Sequence, residues 1–314
     1  SHYSVSQLYH TQWTVRDGAP TGVEMMAQTT DGFLWLGSSA GLFRFDGVQF
    51  ENISAIGGVS LPLQSVYTLQ ATADGELWIG YLHVGVSSLR EGRLTNYGPA
   101  QGLPAAGVTA FAKTSDGTVW AGTSRGLYRL ENGYWHSAGK GWNAPLLYVN
   151  ELLVDRDQVL WLLAGEQVFY LRPGAPEFEK LPVDASGIET GMLLLDRDGT
   201  AAFCSYEHFG VMKLHVPSGN RAFVPEWDHR RGIPTAYAKC AFDRDGHLWV
   251  GGTGVVGRFS SPRDESGSAS EELQRYKADV VSIAGESVAQ ILEDREGNIW
   301  IAAGGGLDRF RAPA

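Results

Sequence analysis

The chain has 314 residues, 43% of them hydrophobic, which is enough to bury a large core. Its formal charge of -10 and its 25 scattered Lys and Arg residues argue against nucleic acid as a partner, because recognition of the phosphate backbone needs clustered cations. Two cysteines are too few for a disulfide scaffold, and the chain contains no uninterrupted run of 18 apolar residues that would predict a membrane-spanning helix.

One heptapeptide returns along the whole chain, and its first copy reads Asp31-Gly32-Phe33-Leu34-Trp35-Leu36-Gly37. Its tryptophan position marks seven copies, at Trp35, Trp78, Trp120, Trp161, Ala202, Trp249 and Trp300. The steps between them are 43, 42, 41, 41, 47 and 51 residues. A period in this range indicates one supersecondary unit that is repeated.

Each copy predicts four short strands, which we call a to d in chain order. Apolar residues alternate with period two, as is typical of strands. In the third copy the Asp116-Gly117 pair separates strands a and b, and Asn132-Gly133 separates strands c and d. Both pairs favour tight hairpin turns, because glycine readily adopts positive φ. Each copy is therefore predicted to form an antiparallel meander.

The two ends of the chain complement each other. The last copy supplies a strand c at residues 306–310 and no strand d. Gly18-Ala19-Pro20 follows Trp13 at the distance at which Gly102-Leu103-Pro104 follows Tyr97, so His10 to Trp13 is predicted to be a strand d. We predict a single all-β domain over residues 1–314, a seven-bladed β-propeller with four-stranded antiparallel blades. Its N-terminal strand, at about residues 8–14, completes the last blade, at about residues 287–311, and so removes free sheet edges.

The repeat resembles that of the two-component regulator propeller family. The resemblance is clearest at residues 31–47 and 116–130 and in the opening Trp13-Thr14-Val15-Arg16-Asp17-Gly18-Ala19-Pro20, and it covers essentially the whole chain. It implies a non-enzymatic, periplasmic or otherwise extracytoplasmic sensor domain of a bacterial membrane receptor. In such receptors the parent chain is commonly a hybrid histidine kinase and sometimes a diguanylate cyclase, anchored in the membrane outside these residues. In gut-bacterial relatives the ligand is often an oligosaccharide.

The repeated residues themselves are interpreted as architectural. The Asp-Gly pairs form a-to-b turns, and the tryptophans are expected to wedge between blades. A basic residue recurs on strand c and is expected to pair with a neighbouring acidic group; its copies are Arg44, Arg129, Lys213, Arg258 and Arg309.

Binding is expected on the face that carries the b-to-c and d-to-a loops, where the copies differ most. Insertions at residues 81–84 and 206–209 each bring a tyrosine and a histidine into a b-to-c loop. The candidate residues combine aromatic rings with groups that form charge-assisted hydrogen bonds. They are Tyr81, His83, Arg125, Trp142, Glu166, Tyr206, Glu207, His208, His229, Arg230 and Arg231.

Three functions stay open, and a sensor of a small molecule or oligosaccharide is favoured. The second is a polysaccharide lyase or hydrolase that uses His83, Glu207, His208 and His229. The third is a platform for protein interaction or for homodimerisation. No catalytic residue, metal ligand or cofactor is assigned, because the sequence contains no His-x-x-x-His pair, nucleophile elbow or phosphate-binding loop.

Overall fold

The fold is a seven-bladed β-propeller, as the sequence predicts. The computed structural model describes residues 3–62, 65–139, 141–183, 191–205, 210–218, 223, 227–228, 239–259 and 279–313. These residues form two compact units, residues 20–180 and residues 1–19 with 181–314. That residues 1–314 form one domain stays a prediction.

The unit of residues 20–180 contains blades 1 to 4, each a four-stranded antiparallel sheet with its strands in sequence order. Their strands are β2 (Val23–Gln28), β3 (Leu34–Ser38), β4 (Gly41–Phe45) and β5 (Phe50–Ile53); β8 (Val66–Ala71), β9 (Leu77–Tyr81), β10 (Val86–Arg90) and β11 (Arg93–Tyr97); β12 (Val108–Lys113), β13 (Val119–Thr123), β14 (Gly126–Glu131) and β15 (Tyr134–Ser137); and β16 (Val149–Val154), β17 (Leu160–Ala164), β18 (Gln167–Leu171) and β19 (Glu179–Lys180). A two-stranded hairpin of β6 (Ala55–Ile56) and β7 (Val59–Ser60) stands between blades 1 and 2.

The other unit contains blades 5 to 7. Their strands are β20 (Gly191–Leu195), β21 (Ala201–Ser205), β22 (Gly210–Lys213) and β23 (Trp227–Asp228); β24 (Lys239–Phe242), β25 (Leu248–Gly251), β26 (Val255–Phe259) and β27 (Val281–Ser282); and β28 (Val288–Glu293), β29 (Ile299–Ala303), β30 (Gly306–Arg311) and β1 (Tyr9–Thr14). Short 3-10 helices cover Val5–Gln7, Val15–Asp17 and Pro99–Gln101. Within the described ranges, no helix has the length and apolarity needed to cross a membrane.

The N-terminal strand completes the seventh blade, which confirms the predicted closure. Strand β1 pairs antiparallel with β30, and Trp13 lies opposite Leu307. The buried Asp308 carboxylate joins the two strands, since it accepts hydrogen bonds from Gln12 at 3.0 Å and from the Ala284 amide at 2.8 Å and lies 2.7 Å from His10 Nε2. The indoles of Trp13 and Trp300 stack with their centroids 5.5 Å apart.

The tryptophans of strand b pack against the next blade, as expected. Trp35 lies in a core cluster with Leu77 of blade 2, and Trp120 lies in one with Leu160 of blade 4. The glycine two residues after each of these tryptophans allows the blades to approach: a Cβ on Gly37 or Gly122 would lie 2.6 or 2.4 Å from a valine methyl of the following blade. A side chain at Gly37 or Gly122 would therefore require the facing valine, Val66 or Val149, to shift.

An acceptor six residues before the tryptophan holds the indole in place. The Nε1 group of Trp35 donates to Thr29 Oγ1 at 2.9 Å, and that of Trp161 donates to Asp155 Oδ2 at 2.7 Å. Blades 3, 6 and 7 have the same bond, from Trp120 to Thr114, Trp249 to Asp243 and Trp300 to Asp294. The same side chain also caps the a-to-b turn, since Asp155 Oδ1 accepts from the Val159 amide at 2.9 Å. One acceptor thus fixes both the turn and the indole.

The basic residue on strand c lies opposite the tryptophan of strand b. Arg44 is the cross-strand neighbour of Trp35, and its guanidinium lies 5.8 Å from the indole centroid. The expected acidic partners are confirmed at three copies: Glu51 for Arg44 at 2.6 Å, Glu131 for Arg129 at 2.8 Å and Asp196 for Lys213 at 3.0 Å. The guanidinium groups of Arg258 and Arg309 lie 5.6 and 5.4 Å from the ring centroids of Trp249 and Trp300.

The Asp155 site allows a direct test of the indole bond. We expect Asp155→Ala to lower the free energy of unfolding by about 2–3 kcal/mol, because it leaves the buried Trp161 N–H and the Val159 amide without their acceptor. Asp155→Thr should recover at least half of that loss, because threonine is the natural acceptor in blades 1 and 3. Urea denaturation of the three proteins measures both effects, and equal losses in the two variants would contradict the proposed role.

A second prediction concerns the a-to-b turn of blade 2. A hydrogen bond from Lys113 Nζ at 2.7 Å is the largest cause that lowers the pKa of Asp74, to about 2. Because the pKa is lowered in the folded state, the pair stabilises the fold above the unfolded value of about 4, and this contribution is lost as the pH falls from about 4 towards 2. In Lys113→Met we expect the pKa of Asp74 to rise towards 4 in a carboxyl NMR titration.

Asp46 is the internal control for that titration. Its pKa is lowered by hydrogen bonds from the backbone amides of Gln49 and Val48, which do not involve Lys113. The pKa of Asp46 should therefore be the same in the wild-type protein and in Lys113→Met. An unchanged Asp74 would show that Lys113 does not lower its pKa.

Candidate functional site

The b-to-c and d-to-a connections of blades 1 to 4 lie at one end of the strands, because each blade is an antiparallel meander. Three of the predicted site residues are exposed there, each in a different b-to-c loop: His83 in blade 2, Arg125 in blade 3 and Glu166 in blade 4. Their binding roles stay predictions.

Tyr81 differs from its predicted position. It is not a loop residue but the last residue of β9, and its side chain is fully buried. Its hydroxyl lies 2.9 Å from Ser87 Oγ, and burial raises the pKa of Tyr81 well above its ordinary value. The b-to-c insertion of blade 2 therefore begins at Leu82. Tyr81 occupies the strand position that Ser38, Thr123 and Ala164 occupy in blades 1, 3 and 4, each opposite the first residue of strand a.

Trp142 is half-buried and packs against the side of blade 3. Its ring meets Trp120 edge to face at a centroid distance of 5.4 Å, and the guanidinium of Arg129 lies 4.7 Å from its centroid. Its carbonyl accepts a hydrogen bond from the Phe178 amide at 2.7 Å. These contacts bury part of the Trp142 indole at the junction of blades 3 and 4.

The remaining predicted site residues lie outside the described residues. They are Tyr206, Glu207, His208, His229, Arg230 and Arg231. The blade 5 insertion at residues 206–209 lies there as well.

A cavity of about 340 Å³ opens between blades 1 and 2. Its walls come from the b-to-c loop of blade 1 at Ser39 and Ala40, from the end of β5 at Asn52 and Ile53, and from the d-to-a connection. That connection contributes Ser54, Leu61, Pro62 and Ser65, and Tyr81 and Val66 lie on the blade 2 side. The Ser65 hydroxyl donates to the Ser39 carbonyl at 3.3 Å, which joins two of the walls.

The β6–β7 hairpin beside this cavity was not predicted. Its turn is Gly57-Gly58, with φ of 58° and 81°, the positive values that a tight two-residue hairpin turn requires. The signal in the sequence was this glycine pair between Ala55-Ile56 and Val59-Ser60. The connection that contains it is about as long as the other d-to-a connections of this unit, so the repeat period did not reveal it.

A chain of hydrogen bonds ties the hairpin to Tyr81. Asn96 Nδ2 donates to the Ser60 carbonyl at 3.0 Å, and Ser87 Oγ donates to Asn96 Oδ1 at 2.6 Å. Because the single hydroxyl proton of Ser87 is used in that bond, Tyr81 must donate to Ser87. Each hydrogen bond of this series therefore donates in the direction from Tyr81 in the cavity wall to Ser60 in the hairpin.

Exposed aromatic and aliphatic side chains lie at the same end of blades 2 to 4. We call them the Tyr-Leu patch; its members are Tyr67, Leu82, Leu146, Leu147 and Tyr148. Leu146 is 69% exposed and Tyr148 is 44% exposed. Partial burial and the hydroxyl of Tyr67 together raise the pKa of Tyr148 to about 12. The patch adjoins the cavity, since the Leu82 amide donates to the Ser65 carbonyl at 3.2 Å.

Among the residues that the structure describes, no three His, Cys, Asp or Glu side chains are grouped to hold a metal ion. Cys204 and Cys240 are not joined by a disulfide, and both are buried in one core cluster.

The family comparison matches two segments of the chain. The model of the family described as "Two component regulator propeller" matches residues 102–125 and 282–305. Both segments have the same register, since Trp120 and Trp300 occupy the same position in them. The chain carries two-component regulator propeller repeats. No curated protein matches the sequence.

Solved structures with this fold include extracellular domains of proposed hybrid two-component systems from B. thetaiotaomicron. One is 16% identical with a TM-score of 0.71 and matches over 96% of this chain and 41% of its own. Another is 19% identical with a TM-score of 0.69 and matches over 99% and 40%. The chain thus spans about two fifths of the length of those two chains. Virginiamycin B lyase from Staphylococcus aureus is also similar, at 14% identity and a TM-score of 0.68 over 98% of this chain and 99% of its own. At these identities the similarity establishes the fold alone.

The Tyr81 hydroxyl can be tested by its removal. Tyr81→Phe should lower the free energy of unfolding by about 0.5–1.5 kcal/mol, because Ser87 then loses the donor that completes its buried hydrogen bonds. Tyr134→Phe is the matched control, since Tyr134 is exposed, and it should change the value by less than about 0.5 kcal/mol. Urea denaturation compares the two, and equal effects would argue against the hydrogen-bond chain.

Proposed function

We propose that this propeller is the ligand-sensing, extracytoplasmic domain of a bacterial two-component-type receptor. It binds a small molecule or oligosaccharide on the side that carries the b-to-c and d-to-a connections. The two-component regulator repeats and the fold shared with extracellular domains of proposed hybrid two-component systems support the class of protein. The parent chain is proposed to be anchored in the membrane outside these residues.

The Tyr-Leu patch is the observation that carries the proposal. Most large apolar side chains of blades 1 to 4 are buried, whereas five are exposed together at this end. Exposed apolar clusters of this kind mark binding surfaces. The two phenol groups add an aromatic face and a polar end, a combination that suits a ring-shaped ligand with hydroxyl groups. The adjoining cavity gives the ligand a place to enter.

The proposal predicts saturable binding without turnover. A panel of soluble oligosaccharides and metabolites should contain compounds that raise the melting temperature, because a ligand at 100 times its Kd adds about 2.7 kcal/mol to the free energy of unfolding. Tyr148→Ser should weaken that binding at least tenfold. Val48→Ser is the matched control, since Val48 is 74% exposed on the c-to-d turn at the opposite end of blade 1.

Three results decide between the alternatives. Equal binding by Tyr148→Ser and Val48→Ser would show that the ligand does not bind at the Tyr-Leu patch. Consumption of a bound compound, followed by chromatography, would favour the lyase or hydrolase alternative. Concentration-dependent self-association without small-molecule binding would favour the homodimerisation alternative.

A further inference from the structure

We infer that the cavity between blades 1 and 2 is a binding site for an uncharged ligand rich in hydroxyl or amide groups. The inference rests on the proposed function and narrows its ligand class. It differs from the expectation that Arg, His and Glu side chains provide the main contacts.

The cavity exists because the connection between blades 1 and 2 is built differently from its neighbours. The connection from blade 2 to blade 3 buries Leu103 and Ala106, and the connection from blade 3 to blade 4 buries Ala144 and packs Trp142 on Trp120. The connection from blade 1 to blade 2 also buries one side chain, Leu61, but its β6–β7 hairpin leaves Ala55, Val59 and Ser60 exposed. Among the described residues of this connection, the hairpin side chains do not fill the junction, and the cavity lies beside them.

The walls of the cavity are held by hydrogen bonds before any ligand enters. The Leu61 amide donates to the Ser54 carbonyl at 2.9 Å, and Ser65 donates to the Ser39 carbonyl. On the far side, Tyr81 is connected to the hairpin through Ser87 and Asn96. Such an arrangement lowers the entropy cost of ordering the site around a ligand.

The lining has an apolar floor and a polar rim. Leu42, Leu61 and Val66 are buried at the base. Asn52 and Ser54 are exposed and offer one amide and one hydroxyl group at the opening. A volume of about 340 Å³ suits one small ligand unit, since small-molecule sites occupy roughly 300–1,000 Å³.

None of the twelve lining residues carries a charge. Arg44 on β4 and Glu51 on β5 are the charged residues of these two strands that lie nearest to the lining residues in sequence. They form an ion pair with each other at 2.6 Å. A charged ligand would lose its hydration in this cavity and gain no counter-charge, which is costly. A neutral ligand can exchange its water hydrogen bonds for those of Asn and Ser side chains at little net cost.

The test uses sets of three compounds that differ only in charge: a neutral compound, its carboxylate and its amine. Pyranose sugars with their uronic acids and amino sugars form one set, and N-acetylated amino-acid amides with their free acids and free amines form another. Binding is followed by the melting temperature and by the methyl NMR signals of Ile53 and Leu61, which line the cavity. We expect at least one neutral compound to bind at least tenfold more tightly than its charged partners and to shift both methyl signals.

Ser39→Phe should weaken this binding at least tenfold by filling the cavity. Ser124→Phe is the matched control, because Ser124 occupies the same b-to-c position in blade 3 as Ser39 does in blade 1. The Ser124 amide donates to the Gly107 carbonyl, just as the Ser39 amide donates to the Gly22 carbonyl. Charged compounds that bind as tightly as neutral ones, a Ser39→Phe protein that binds normally, or unshifted Ile53 and Leu61 signals would each overturn the inference. If Tyr148→Ser abolishes binding while Ser39→Phe does not, the cavity inference fails and the proposed function stands.

Discussion

The hydrogen bond from the strand-b indole to an acceptor six residues earlier organises blades 1, 3, 4, 6 and 7. The acceptor stands where strand a ends, and the tight turn brings it back beside the indole, as at Thr29 and Trp35. The indole then packs against the next blade. Turn geometry, hairpin register and blade-to-blade packing are thus coupled through one side chain, which explains why the spacing between acceptor and tryptophan is constant while the longer loops vary.

Two copies show what happens when this bond is missing. In blade 5 alanine stands at the tryptophan position, and Asp196, the residue in the acceptor position, forms an ion pair with Lys213 at 3.0 Å. In blade 2 the Thr72 hydroxyl is engaged with the backbone of Glu76, and within the described residues the Trp78 N–H has no partner. Trp78 is nevertheless buried between Phe111 and Trp135, so packing alone keeps it in place. The hydrogen bond specifies the turn, whereas apolar contacts hold the blades together.

The sequence predicted the features that recur and missed those that occur once. The count of blades, the antiparallel meander and the N-terminal strand opposite β30 all follow from a repeated spacing, which local turn chemistry enforces. Tyr81 was assigned to a loop because the step from Trp78 to Gly85 shows that blade 2 has an extra residue but not where strand b ends. Trp142 was read as a free aromatic ring because its partner Trp120 is 22 positions away and belongs to a different strand. Contacts of this kind depend on packing between elements, which periodicity does not encode.

The cavity shows how one connection in a repeated fold can differ while the strand pairing of the blades stays the same. Every d-to-a connection of blades 1 to 4 must bridge a similar gap, and each has a similar number of residues available. When those residues turn inward, as at Leu103 or Trp142, they complete the core and leave no room for a ligand. In the connection from blade 1 to blade 2, Leu61 also turns inward, but the Gly57-Gly58 turn forms a hairpin beside the cavity. A two-residue turn in a connection of ordinary length thus accompanies the cavity, and the strands on either side keep the same antiparallel pairing as in the other blades.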